Sequence, residues 1–255
     1  MDETHGEQYI KTKTNGGVRV EIKDVLVEGT TKKVFTTSNA DEVLIEFLDT
    51  LPSHLAKKKE TVKGKAAINN AISSFLFEYL GSYNIPNHYV KKHDEKSMLA
   101  KRLEMLPITF HIWNVAGDDL VERFGFEKYQ VLEYPVIEMT LKNEKLNFPF
   151  INEYHAYALK ISNRSEMDQM TRIATKVNAV LKSYFQRRRL MLGDIRLEFG
   201  RAGNAIFLGD EVSPDTFVLY ELDDKGRVAN PDKFQIKGSK KLDVYQAYYD
   251  LFFNK

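Results

Sequence analysis

Apolar and polar positions along this chain change period in short, separable runs. Residues 18–22 and 43–47 alternate as half-buried strands do, and residues 25–35 read as two short strands around Gly29. Over residues 67–80, Ile68, Ile72, Phe75, Leu76 and Tyr79 recur at helical spacing, with Gly81 as a stop. Residues 98–106 and 108–113 read as strands broken at Pro107, residues 118–124 as a short helix capped by an aspartate, and residues 134–142 as a strand. The longest helix is expected at 165–188, with Met170, Ile173, Ala174, Val177, Val180, Leu181 and Phe185 on its apolar face. Ser165 with Asp168 reads as its capping pair, and Arg187, Arg188 and Arg189 suit the negative end of its dipole. Residues 190–199 and 205–210 then read as a hairpin and residues 244–252 as a terminal helix. Residues 1–17 read as a flexible tail, and the stretch from His54 to Lys65, with its five lysines, as a mobile loop. Strand runs and helix runs in this mixture predict an α+β fold.

Composition narrows the class. A chain of 255 residues can form two lobes that share a cleft. Lys plus Arg number 37 and Asp plus Glu 36, so no global basic field points to nucleic acid. No apolar run approaches the roughly 20 residues that span a bilayer, and the polar, acidic start is unlike a signal peptide, which makes the cytoplasm the expected address and a membrane partner unexpected. Without cysteine, thiolate chemistry and disulfides are excluded. The six histidines show no HExxH spacing, and neither a P-loop nor a GxGxxG turn is present.

The chemistry concentrates in two segments, residues 192–200 (LGDIRLEFG) and 209–215 (GDEVSPD). Alternation places Asp194, Arg196 and Glu198 on one strand face while Ile195, Leu197 and Phe199 face the core. A hairpin would bring Glu198 towards Asp210, and two close carboxylates repel unless a cation lies between them. Mg²⁺, held by one or two carboxylates together with phosphate oxygens, fits that arrangement. The pattern alone is equally met by an exposed hairpin face carrying charge.

These segments resemble the signatures of the SAICAR synthetase family, which read roughly VDFKLEFG and (G/A)DE(I/F)SPD. Glu28-Gly29-Thr30-Thr31-Lys32 resembles the family's EGKAK turn, Gly64-Lys65 with Asn69-Asn70 its GKGxLNN segment, residues 98–114 its LVKKLxMxPxEVVVRN strands, and residues 141–155 its KNDxxxDPMINxxH segment. The likeness runs in order over roughly residues 25–250. It implies a kinase-like ATP cleft between an antiparallel-sheet N-terminal lobe (residues 18–113) and a larger α+β catalytic lobe (residues 114–255). It also implies an ATP-dependent ligase that activates a carboxylic acid as an acyl phosphate and couples it to an amino acid such as aspartate. Glu198 and Asp210 would bind Mg²⁺. ATP would be held by these two with Gly29, Lys32, Lys101 and Lys142, and Asp194 and Arg196 would face the acceptor carboxylate, with Lys32 serving the transfer. Homo-oligomers are common in the family.

Departures fall together. The positions that hold a ribose phosphate in the family carry Trp113, Asp119 and Val218 here, and the aspartate of its DP step is Phe148. Charge-assisted hydrogen bonds contribute roughly 1.5–3 kcal/mol each, so losing two or three weakens phosphate binding by roughly 10³-fold or more. The resulting expectation is a non-standard, less anionic acceptor. Two other readings are an ordinary SAICAR synthetase whose phosphate site is rebuilt by Arg123, Lys142 or the Lys57–Lys59 loop, and a non-catalytic nucleotide-binding protein.

Overall fold

The computed structural model describes residues 20–56 and 58–254; the expected tail at 1–17 and Lys57 lie outside them. Two antiparallel sheets form the frame. The smaller contains β1 (Ile22–Glu28), β2 (Lys32–Thr37), β3 (Glu42–Phe47), β4 (Tyr89–Lys92) and β5 (Ser97–Lys101), in the order β1-β2-β3-β5-β4. The larger contains β6 (Glu104–Val115), β7 (Val131–Leu141), β8 (Phe150–Ile151), β9 (Leu190–Ala202), β10 (Ala205–Leu208), β11 (Phe217–Leu222) and β12 (Val228–Ala229). Its order is β12-β11-β9-β6-β7-β8, with β10 paired to β9 outside that path. Helix α1 (Lys65–Ser82) packs on the smaller sheet and against the terminal helix, which runs Lys241–Phe253. Between them in sequence come α2 (Asp118–Phe124), α3 (Glu153–Ala158) and α4 (Arg164–Gln186), so the terminal helix is α5. The α+β expectation is met.

The helices form where apolar spacing gives them one face to bury. Ile72, Leu76 and Leu80 of α1 and Met170, Ala174, Val177 and Leu181 of α4 are fully covered. They join Ile195, Leu197 and Phe199 of β9 in a core that runs continuously under both sheets. Each such leucine, isoleucine or phenylalanine contributes about 1.5–3 kcal/mol relative to exposure. At Gly193 a Cβ would come within 2.4 Å of the Tyr220 ring, so only glycine lets β9 and β11 close there.

Several expectations need correction. The chain does not break at Pro107: β6 runs through it, and a register shift against β9 between Met105 and Thr109 accommodates the residue that lacks an N–H. The chain leaves the smaller sheet at Lys101 and enters the larger at Glu104, so a border at 113 would cut β6. Helix α2 has Gly117 as its cap with no side-chain bond; Asp118 and Asp119 lie in its first turn and act on the dipole. Helix α4 begins at a reciprocal capping box of Asn163 and Glu166, not at Ser165 and Asp168. The lysine-rich loop is tied down by a bridge between Thr50 and Thr61 and by Asp49, whose Oδ1 accepts from the backbone of Gly64 and Ala66. No helix among the described residues is long and apolar enough to cross a membrane.

Candidate active site

Strand β9 is the spine of the site. Its register sets Glu198 opposite Thr109, Arg196 opposite His111, and Asp194 opposite both Trp113 on β6 and Val218 on β11. Strand β7 extends these rows, with Thr140 opposite Thr109 and Glu138 opposite His111. Directly opposed residues share a face, and rows two residues apart are about 6.6–6.8 Å apart along a strand. The expected alternation therefore holds: Ile195, Leu197 and Phe199 are buried behind a polar face.

At one end of that face the hairpin brings Glu198 and Asp210 together. Phe199 pairs with Leu208, and Gly209 donates its backbone N–H to the Glu198 carbonyl at 2.9 Å. Asp210 follows in left-handed backbone, φ 59°, a conformation aspartate tolerates better than most residues. Lys142 Nζ donates to Glu198 Oε2 at 2.5 Å, and Thr109 lies 3.5 Å from Oε1. Lys32 Nζ reaches Asp210 Oδ1 at 2.7 Å and Glu211 Oε1 at 2.6 Å, so a strand of the smaller sheet is tied to the loop leaving the larger one. Burial and the nearby Asp210 charge push Glu198 above the usual carboxylate range. Burial opposes ionisation of Asp210 as well, but Lys32 and Lys142 outweigh it and hold that carboxyl low.

Two hard oxygen donors under mutual repulsion fit Mg²⁺ by charge and ligand type. Among the described residues no third protein ligand joins them. That suits a cation which completes its shell with water and substrate phosphates. Gly29 makes the tight turn before Lys32, its N–H bonding the Lys32 carbonyl at 2.9 Å. Lys101 sits at the end of β5 with its ammonium 4.3 Å over the Phe207 ring of β10.

Residues to which the sequence reading gave no individual role complete this end. Glu211 accepts from Ser213 Oγ at 2.5 Å, and Ser213 Oγ accepts from the Asp215 N–H at 3.1 Å. Asp215, itself buried, pairs with the buried Lys65 at 2.6 Å and accepts from the Tyr245 hydroxyl. His54 Nε2 donates to the Asp215 carbonyl at 3.0 Å and fastens the lysine-rich loop to the same segment. The acidic GDE…SPD run was legible as a metal motif, but nothing local in it announces a lysine 150 residues away as partner.

The other end of the face is assembled differently from expectation. Asp194 Oδ1 accepts from His111 Nε2 at 2.9 Å and lies 3.5 Å from Arg196. The His111 ring is 3.8 Å from the Trp113 ring, centre to centre. Trp113 is buried with Ala116, Leu120 and Leu132, so it is a core residue that meets the site with the ring face beside His111 and with its indole N–H, which donates to Glu138 Oε2 at 3.0 Å. Arg123 holds Glu138 through two bonds of 2.9 and 2.7 Å and also bonds Asp119 at 2.8 Å. Val218 packs beside Val115, Met191 and Tyr220. Phe148 is half-exposed in left-handed backbone after a 3-10 turn (Glu144–Leu146), and the aromatic rings beside the Arg123 guanidinium are Phe150, at 4.5 Å, and Phe124, at 4.8 Å. His155 caps α3 together with Asn152, Asn114 pairs with Asn178 of α4, and Asn70 holds three carbonyls of the β4–β5 turn; all three are framework. His111 and Glu138 were missed because each is a lone polar residue in a strand until the register sets them side by side.

A sequence model of the SAICAR synthetase family matches residues 25–245. A phosphoribosylaminoimidazole-succinocarboxamide synthase from Prosthecochloris aestuarii is 42% identical over 221 residues, covering 87% of this chain and 94% of its own length. One from Chlorobium phaeobacteroides is 41% identical over 222 residues, with 87% and 94% covered. Among solved structures, a SAICAR synthetase in complex with ADP superimposes with a TM-score of 0.81 at 30% identity over 91% of this chain and 98% of its own. The synthase from Ehrlichia chaffeensis gives 0.80 at 28% identity, over 88% and 96%.

Proposed function

The chain belongs to the SAICAR synthetase family, an ATP-dependent, ADP-forming group of carbon–nitrogen ligases, and from that premise we propose that it carries out the ordinary family reaction, joining aspartate to the carboxylate of carboxyaminoimidazole ribonucleotide. The observation that carries this reading is the ordered face of β9. Glu198 and Asp210 stand at one end beside Lys32 and Lys142, and Arg196 and Asp194 follow one and two rows along. Phosphate is handled where cations and carboxylates meet, and the carboxylate to be activated lies next to it.

A free carboxylate is a poor acyl donor because oxide does not leave; phosphorylation supplies a leaving group. No protein nucleophile is required, so the work of the chain is alignment and neutralisation of charge. Lys32 and Lys142 neutralise the phosphates, and Arg196 orients the acceptor carboxylate through its planar fork. Mg²⁺, held by Glu198 and Asp210, would withdraw charge from the phosphate oxygens.

A second reading, a less anionic acceptor, has one observation in its favour. Around the expected ribose-phosphate position, Arg123 is already shared by two carboxylates, Asp119 and Glu138. The names borne by relatives about 40% identical weigh towards the ordinary acceptor.

The test is Mg²⁺-dependent ADP release with ATP, L-aspartate and carboxyaminoimidazole ribonucleotide, read with product mass, and with Asp210→Asn as control. Amide formation lost in the control supports the ordinary reaction. ATP binding with no turnover would overturn it and transfer support to the second reading.

A further inference from the structure

We propose that His111, held by Asp194, takes the proton from the attacking amine in the coupling step. The inference rests on the ligase reading above and adds a group to it.

The chemistry demands such an acceptor. An amino acid arrives as an ammonium, which has no lone pair to attack with. One proton must leave before or as nitrogen bonds the acyl carbon. The carbon–oxygen bond to phosphate then breaks, phosphate keeps the electron pair, and the second surplus proton leaves nitrogen with it. Acyl phosphate and ammonium thus become amide, hydrogen phosphate and one proton on the base.

Few groups on the face can receive that proton. Arg196 presents only N–H donors and no accepting lone pair. Lys32 and Lys142 are bound to carboxylates, and Glu198 and Asp210 belong to the metal end. Asp194 is already engaged by His111 and Arg196. His111 stands directly opposite Arg196, one row from Glu198, where an acyl phosphate formed at the metal end would lie.

Its state is right for a base. A carboxylate oxygen only accepts, so Nε2 is the nitrogen that donates to Asp194, and in the neutral ring Nδ1 carries the free pair. No described residue bonds Nδ1, and it is not among the buried unpartnered atoms, so it keeps contact with solvent. Burial holds the ring below its ordinary value against the opposite pull of Asp194. The groups that face it are Asp194 and Arg196 from β9, Glu138 from β7, and Trp113 on its own strand. Once protonated, the ring gains an ion pair with Asp194 at 2.9 Å, as an imidazole does beside its carboxylate in a catalytic dyad. Trp113, whose ring lies 3.8 Å away and tilted 37° to the imidazole, restricts ring rotation.

The experiment compares two nucleophiles in wild type and in His111→Gln, with ATP, Mg²⁺ and carboxyaminoimidazole ribonucleotide. Aspartate needs a base; hydroxylamine is already unprotonated at neutral pH and traps an acyl phosphate as hydroxamate without one. The variant is expected to lose roughly 10²–10⁴-fold in amide formation. Its hydroxamate formation should stay close to wild type, and its amide rate should rise with pH as free amine accumulates. Equal loss of amide and hydroxamate would overturn the proposal in favour of a structural role, and so would an unchanged amide rate. Absence of both products from the wild-type enzyme would instead bring down the ligase reading itself.

Discussion

Lys32 Nζ lies 2.7 Å from Asp210 Oδ1 and 2.6 Å from Glu211 Oε1, so a single ammonium neutralises two acidic side chains and ties the two sheets together. Lys32 is 14% exposed and Glu211 3%. Removing the ammonium leaves the buried Glu211 and the partly exposed Asp210 without their shared cation, a loss of about 3–5 kcal/mol. Lys32→Met is expected to lower kcat by roughly 10²–10³-fold and to unfold earlier in urea. Adding Glu211→Gln should return much of the stability and none of the activity. If both properties recover together, Lys32 is only a structural tie.

The pair of Lys65 and Asp215 is more deeply buried, at 1% and 2% exposure, and makes no contact with the expected metal ligands. Lys65→Met alone should cost about 3–5 kcal/mol, and so should Asp215→Asn. The double variant is expected to be well short of additive, because no unpaired charge remains. Urea unfolding of the four proteins measures the coupling; strict additivity would mean that the two residues act independently.

Arg123 is the cation that could rebuild phosphate binding under the ordinary reading. Arg123→Ala should then raise KM for carboxyaminoimidazole ribonucleotide by roughly 10–100-fold, the equivalent of one charged hydrogen bond, and leave KM for ATP unchanged. Turnover of the ribonucleoside should be correspondingly slower than that of the ribonucleotide. A ribonucleoside used as well as the ribonucleotide, with Arg123→Ala silent, would favour the less anionic acceptor.

Glu138 gives a pH signature. Burial opposes its ionisation, but Arg123 and Trp113 outweigh it and hold the carboxyl below its ordinary value. A carboxyl whose folded pKa is depressed stabilises the protein above its unfolded pKa of about 4.3, and that stability is lost as pH falls through the folded value. Glu138→Gln should therefore cost on the order of 1 kcal/mol at pH 7, allowing for the solvent contact of Arg123. The gap should close as pH falls below about 4. Chemical unfolding at pH 7 and pH 3 checks this; a gap that stays constant would assign the loss to packing instead.

Much of the framework was legible because its causes are local. Period-2 alternation produced β3 and β9, 3.6-residue spacing produced α1 and α4, and the hairpin at 190–210 followed from two apolar runs around Gly203. Strands β8 and β12, two residues each, carry no period to read. The break assigned to Pro107 failed because a proline without an N–H can still sit at a bulge of a continuing strand. The cap of α4 went to Asn163 because both residues of the box bond reciprocally, which Ser165 and Asp168 do not.

What the sequence by itself determined was the family and, within the site, the residues that are close along the chain: Asp194, Arg196 and Glu198 on one face, with Asp210 a hairpin turn away. Only the tertiary structure decided who faces them. Antiparallel register, set by the burial of alternate side chains, brought His111 to Asp194 and Glu138 to Trp113 across 83 and 25 residues. Ion pairing to the loop after β10 gave Lys32 of β2 to Asp210 and Lys65 of α1 to Asp215. Trp113 shows the difference most plainly. Read in the chain it lines a substrate pocket, but in the fold its ring fills a core, because an indole buried against Ala116 and Leu120 is more stable than one left in water, provided its N–H finds a carboxylate.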